Sequence, residues 1–192
     1  MINNGGYLEI ILGPMFSGKS SELIKRYRLY KCINKDILFI NHSSNKRYNN
    51  EDLKSIITHD NDKVNDCISV NKLNEINLNY ENIFNNSSVI LIEELQFFED
   101  SFDIIKDWVD KKSKIVICAG LDGDFKRENF GNMYKLYPLC DKITKINALC
   151  KKCGNGTPAL FTNRIINNNN QMMIGGNEIY ESVCRKHYLE IN

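Results

Sequence analysis

Residues 7–20 read Tyr7-Leu-Glu-Ile-Ile-Leu12-Gly13-Pro14-Met15-Phe16-Ser17-Gly18-Lys19-Ser20. The first six residues have the branched apolar character of a buried strand. From Gly18 to about Lys31, Leu23, Ile24 and Tyr27 recur on one face, which predicts a helix. Between them, Gly13 to Ser20 matches G-x-x-x-x-G-K-[ST] in full, in the strand–loop–helix setting that this motif needs. Glycine lets the backbone curl so that successive N–H groups converge on phosphates, and the helix N-terminus adds its positive end. Gly13, Pro14, Met15, Phe16, Ser17, Gly18, Lys19 and Ser20 are therefore expected to bind the phosphates of a nucleoside triphosphate. Lys19 is expected at the β- and γ-phosphates and Ser20 at magnesium.

Further strands are expected at Ile37–Ile40, Val89–Ile92 and Ile115–Cys118, the last two as central parallel strands covered on both faces. Leu73, Ile76, Tyr80 and Ile83-Phe84 suggest one helix, and Phe102, Ile105 and Val109 another. The polar stretch from His42 to about Asp66 reads as a long surface loop. Asparagine clusters at Asn49–Asn50, Asn85–Asn86 and Asn167–Asn170 also mark loops. Strands alternating with helices predict an α/β fold, a P-loop NTPase-like parallel sheet flanked by helices, over residues 1–147. After Leu149, cysteines, glycines and asparagines replace the long apolar periods, so residues 148–192 are expected to form a small second domain stapled by metal.

A phosphate loop that serves catalysis needs an acid at a neighbouring strand end. Val89-Ile-Leu-Ile-Glu93-Glu94 has that form. Adjacent carboxylates repel unless a cation or proton separates them, and neighbours on a strand face opposite ways. One acid would face magnesium and the other would serve as a general base, the alternative being two solvated acids that open a loop.

Cys150-Lys-Lys-Cys153 and Cys184-Arg-Lys-His187 each space two ligands by two residues. Two such pairs complete a tetrahedron of three thiolates and one imidazole, with no open position, as in structural zinc sites. The 30 residues from 154 to 183 would form a loop clipped at its base. Seven cysteines, an odd number, suit a reducing compartment. Cys32, Cys67, Cys118 and Cys140 are expected as small buried residues, and His42 and His59 as solvated ones.

A formal charge of +1 favours neither nucleic acid nor an anionic membrane as a partner. No apolar run approaches the roughly 20 residues that span a bilayer. With no basic-then-apolar leader at the start, a cytoplasmic location is expected.

Taken together, these motifs resemble the type II, cytosolic-type thymidine kinase family. The similarity lies in Gly13 to Ser20 followed by Glu22-Leu23-Ile24, in Glu93-Glu94-Leu95-Gln96-Phe97-Phe98, and in Leu121-Asp122-Gly123-Asp124-Phe125. It continues through Ile174-Gly175-Gly176, Tyr180 and Cys184-Arg185-Lys186-His187, and the motifs keep the family's order over residues 5 to 188. The resemblance implies transfer of the ATP γ-phosphoryl to the 5′-hydroxyl of thymidine, giving dTMP. It makes Glu94 the base and Glu93 the magnesium-side acid. Phe97, Leu121, Phe125 and Phe130 would line the thymine pocket, with Met15 at its edge. Read without the family, the three phenylalanines favour a place in the core. Gln171, Met172, Met173, Ile174 and Gly175 would offer backbone groups to the base, with Tyr180 beside them and Arg47 near the phosphates or ribose. A homotetramer and feedback inhibition by dTTP are further implications of the resemblance.

Three positions depart from the family pattern. Glu93 stands in place of an aspartate, Leu95 in place of a small residue, and Asn45 in place of an aspartate two before Arg47. Two rival functions remain: the same fold with a broader or altered acceptor range, or a nucleotide-binding zinc module contacting nucleic acid through Lys151, Lys152, Arg185 and Lys186.

Overall fold

The computed structural model describes residues 5–44, 55–57, 63–65 and 67–191. In chain order, β1 (Tyr7–Leu12) leads into α1 (Lys19–Cys32) and β2 (Ile37–His42). Short strands β3 (Ser55–Ile57), β4 (Lys63–Asn65) and β5 (Cys67–Val70) follow, then α2 (Asn74–Asn79), α3 (Glu81–Asn86) and β6 (Val89–Ile92). A 3₁₀ turn at Leu95–Phe97, α4 (Ser101–Asp110), β7 (Ile115–Gly120), a 3₁₀ stretch at Met133–Leu139 and β8 (Lys142–Lys145) complete this part. The remainder contains β9 (Ala148–Leu149), β10 (Pro158–Ala159), β11 (Phe161–Arg164), β12 (Tyr180–Val183) and α5 (Arg185–Ile191).

Six strands form one sheet in the order β5-β2-β6-β7-β1-β8, and every pairing in it is parallel. Alternation along each strand feeds two cores. Leu8, Ile10, Ile90, Ile92 and Val116 face Ile105 and Trp108 of α4 on one side. Ile11, Phe39, Leu91 and Ile117 face Leu23 and Ile24 of α1 on the other. This double coverage explains why β6 and β7 read as unbroken apolar runs. Trp108 is fully buried, and its indole N–H donates to Asn77 Oδ1 at 2.9 Å.

Glu9 interrupts the apolar pattern of β1 while only 3% exposed. Arg26 of α1 donates to it from Nη2 at 2.9 Å, and Lys142 of β8 lies 3.2 Å away. Burial alone would raise the Glu9 pKa, but Arg26 and Lys142 outweigh it and lower the value from 4.5. The stabilisation is therefore whole above pH 4.5 and fades as pH falls through the lowered folded value. Glu9→Gln leaves Arg26 facing an amide and should cost on the order of 3 kcal/mol in urea unfolding at neutral pH. The mutant should also lose less stability than wild type on acidification below pH 4.5, and parallel pH profiles would refute this account.

Several expectations need correction. His42 closes β2 and is 8% exposed, with its ring 5.4 Å from that of Phe97 and 4.8 Å from that of Phe98. It is a packed residue because β2 lies beside β6, whose exit carries both phenylalanines. The stretch from His42 to Asp66 contains the antiparallel pair β3–β4, and β5 follows it as the edge strand beside β2. His59, Asn45, Asn49–Asn50 and Arg47 lie outside the described residues. The expected helix through Phe84 is two short helices that break at Tyr80, where φ is −130° and ψ is 26°. Asn85 and Asn86 lie in the last turn of α3. Cys32 is exposed at the end of α1, whereas Cys67 and Cys118 are buried and Cys140 is half-buried. Burial pushes the Cys67 and Cys140 thiols up to about 12, so both stay protonated and inert.

Past β8, β9 pairs with β10 and β11 with β12, both antiparallel. A separate cluster of Ala148, Cys150, Ala159, Val183, Cys184 and Tyr188 holds these pieces, with Phe16 and Phe161 packed on its rim. Among the described residues, no helix is long and apolar enough to cross a membrane.

Candidate active site

The C-terminal ends of β1, β6 and β7 converge, the usual place for ligands on an open α/β sheet. Gly13 follows β1 where any Cβ would collide with the carbonyl oxygen of Ile146. Phe16 (φ 65°) and Gly18 (φ 83°) both take left-handed backbone conformations that curl the loop into α1. Pro14 O accepts from both the Ser17 hydroxyl and the Lys19 ammonium, each at 2.8 Å. Ser20, in the first turn of α1, donates its hydroxyl to Glu93 Oε1 at 2.5 Å across 73 residues of sequence.

β6 stops at Ile92, so the two acids lie beyond the pleat. Glu93 is 4% exposed and turned towards Ser20. Glu94 takes left-handed values, φ 56° and ψ 44°, and that backbone turn lies between its side chain and that of Glu93. Gln96 donates Nε2–H to Glu94 Oε2 at 2.5 Å, while its Oε1 accepts from Leu121 N at 3.0 Å. The Leu121 amide identifies which end of the Gln96 amide faces the carboxylate. Leu95, fully buried, fills space beside Gly120.

A cavity of about 390 Å³ opens between these groups and the 165–179 loop. Met15, Phe16, Gly18, Lys19, Ser20, Glu93 and Glu94 form one end. Phe97, Leu121, Phe125, Phe130, Gln171, Met172, Met173, Ile174 and Tyr180 line the other. Phe97 and Phe130 meet edge to face at 5.6 Å. Gly13, Pro14, Ser17 and Gly175 shape the backbone without reaching the wall, and a side chain at Gly175 would strike Ile179. Tyr180 donates its hydroxyl to Met173 O at 2.7 Å and so fixes the segment above the cavity.

Sequence reasoning missed several lining residues. Thr162 accepts the Met15 N–H at 2.9 Å, which ties the glycine loop to β11. Asp124, 6% exposed, accepts from the backbone N–H groups of Lys126 and Glu128 at 2.8 and 2.9 Å. Gln96, Ser44, Arg164 and Asn177 also line the cavity. Gln96 lay within a quoted motif. For Thr162 and Arg164 there was no such signal, since Phe-Thr-Asn-Arg has no apolar–polar alternation.

Cys150, Cys153, Cys184 and His187 bring one donor atom each to within 4.8 Å of one another. The Cys153–Cys184 sulfur separation is 3.8 Å, and His187 Nδ1 lies 3.4 to 3.5 Å from all three sulfurs. A zinc tetrahedron with Zn–S of about 2.3 Å and Zn–N of about 2.0 Å has edges of about 3.5 to 3.8 Å, so the donor set fits zinc. Burial pushes the Cys150 thiol up, yet N–H donors from Cys184 and Cys153 bring it down to about 6. A thiolate at neutral pH is the form that ligates metal.

A parallel α/β sheet whose strand ends bring a glycine loop, a serine and an acid pair to one cavity defines a class: an enzyme of the kinase type. A family model described as thymidine kinase matches residues 6–188, and the chain belongs to the thymidine kinase family. The thymidine kinase of Yaba monkey tumor virus (strain VR587) is 43% identical over 192 residues, 100% of this chain and 99% of that protein. The thymidine kinase of Vaccinia virus (strain Western Reserve) is 38% identical over 187 residues, 97% of this chain and 99% of that protein. The thymidine kinase of Oryza sativa subsp. japonica is 37% identical over 188 residues, 96% of this chain and 67% of that protein.

Proposed function

We propose that this enzyme transfers the γ-phosphoryl group of ATP to the 5′-hydroxyl of thymidine, with Glu94 as general base. The observation that carries the reading is the pairing of Ser20 with Glu93 at 2.5 Å beside a Glu94 carboxylate held by Gln96, all on one cavity. Lys19 and the loop amides bind the phosphates. Ser20 and Glu93 are oxygen donors suited to hold magnesium or its waters, which neutralises charge on the β- and γ-phosphates. Glu94 takes the proton of the 5′-hydroxyl as the new oxygen–phosphorus bond forms. The bond from the γ-phosphorus to the bridging oxygen breaks, and its electrons leave on ADP.

Thymine would sit among Phe97, Leu121, Phe125 and Phe130, its polar edge towards backbone groups of residues 171–175. Rigid backbone donors and acceptors discriminate a ring without a side-chain entropy cost. Residues 148–192 act as a second domain whose zinc, held by Cys150, Cys153, Cys184 and His187, has a structural role. A homotetramer, a cytoplasmic location, inhibition by dTTP and an Arg47 contact near the phosphates or ribose belong to the same reading.

A panel of nucleosides incubated with ATP and magnesium tests it. Thymidine should give the monophosphate with a kcat/KM at least about tenfold above nucleosides lacking the 5-methyl group, the scale expected of a snug apolar wall. Equal use of all pyrimidine nucleosides would favour the broader kinase, and ATP binding without product would favour the binding module.

A further inference from the structure

Arg164 closes β11, is 8% exposed, and has no part in the phosphoryl transfer described above. Its Nη1 donates to Asn168 O at 2.8 Å and Asn170 O at 2.5 Å. Its Nη2 donates to Gln171 O at 3.0 Å and to the Tyr180 hydroxyl at 2.8 Å. The guanidinium carbon also lies 3.7 Å from the centroid of Phe125. The β11–β12 ladder ends at the Arg164–Tyr180 pair and is followed by one more backbone bond, from Ile165 N to Ile179 O at 2.8 Å, so residues 166–178 lie beyond the pairing. Three carbonyls from 168 to 171 converge instead on one planar fork, and a desolvated guanidinium is the side chain built for that.

Two more contacts extend the arrangement. Gln171 donates its amide to Asp124 Oδ2 at 2.8 Å and to Asn129 O at 3.1 Å. Through Arg164, Gln171 and Asp124, the loop is thereby joined to the segment that carries Phe125. One side chain thus touches both walls of the proposed nucleoside site.

We propose that Arg164 is a positioning residue for the nucleoside: its guanidinium folds residues 168–171 and the Phe125 wall into their binding shape. Acceptor affinity depends on it, and the chemical step does not. The inference rests on the reading that thymidine binds between Phe125 and residues 171–175.

The test uses the full-length, zinc-loaded enzyme with Arg164→Ala and Arg164→Lys. Arg164→Ala should raise KM for thymidine about 10- to 100-fold, the scale of one charge-assisted hydrogen bond lost from the bound state. KM for ATP should stay at the wild-type value and kcat should move less than about threefold, the pattern of lost uniform binding. Arg164→Lys should remain impaired, because one ammonium cannot reproduce the fork. Millimolar guanidinium should partly restore a low thymidine KM to Arg164→Ala and leave wild type unchanged. Amide hydrogen exchange at 168–173 should accelerate in both variants. If Arg164→Ala is too unstable to assay, Arg164→Lys decides. A wild-type thymidine KM in whichever variant decides, or a loss confined to kcat, overturns the proposal. A wild-type enzyme that fails to phosphorylate thymidine overturns the functional reading instead, and unaltered exchange at 168–173 then also overturns the clasp.

Discussion

Glu94→Gln should lower kcat about 10³-fold while ATP binding survives, as expected when a general base is removed with its shape preserved. A glutamine can turn its carbonyl oxygen to the Gln96 Nε2–H, which now donates to Glu94 at 2.5 Å, so the local fold should hold. What it lacks is the capacity to accept a proton at that atom. The groups assigned to ATP are the 13–20 loop and the part-buried Ser20–Glu93 pair, whose hydrogen bond does not use the Glu94 side chain. Single-turnover product formation and equilibrium ATP binding should therefore separate cleanly. Full turnover in Glu94→Gln would remove that residue from the mechanism.

Removing the metal should have the second large effect. Structural zinc sites contribute about 10–16 kcal/mol in small peptides, comparable with the whole stability of a domain. A small apolar cluster and two short strand ladders would be left to hold β9–β12 and α5. Two contacts carry the consequence to the cavity: Tyr188 of α5 donates to Phe125 O at 2.8 Å, and Thr162 accepts from Met15 N. Chelation, or Cys153→Ser, should weaken thymidine binding at least about tenfold and speed exchange in residues 158–183, while the six-stranded sheet persists. Zinc content measured beside thymidine titration checks this. A metal-free protein with normal thymidine affinity would defeat it.

The parts of the molecule legible in the sequence were those whose cause is local. Val89–Ile92 read correctly as an unbroken apolar run, and Tyr7–Leu12 as a mainly apolar one broken by Glu9, because parallel strands covered on both faces need such runs. The clustering of Cys150, Cys153, Cys184 and His187 was legible because each pair shares one short segment. His42 did not, since its polar neighbours in sequence are replaced in space by Phe97 and Phe98. β5 escaped notice because an edge strand of four residues, Cys-Ile-Ser-Val, has too few positions for a period. The left-handed turn at Glu94 was hidden because a non-glycine residue there is held by its surroundings, and composition gives no sign of it. Arg164 was opaque for a related reason. Three of its partners are backbone carbonyls, which any residue could supply.

The position of β1 has a consequence for the order in which the chain can fold. Residues 7–12 pair with β7 at 115–120 and with β8 at 142–145, and with no earlier strand. Made before its partners, this strand has to wait for residues more than a hundred positions downstream. At about 5–20 residues per second that wait is on the order of 10 s. Loops this long close slowly, so the strand that feeds Gly13 should be among the last to dock. A nascent chain halted before Ile115 would carry the complete Gly13–Ser20 motif without either strand that flanks β1.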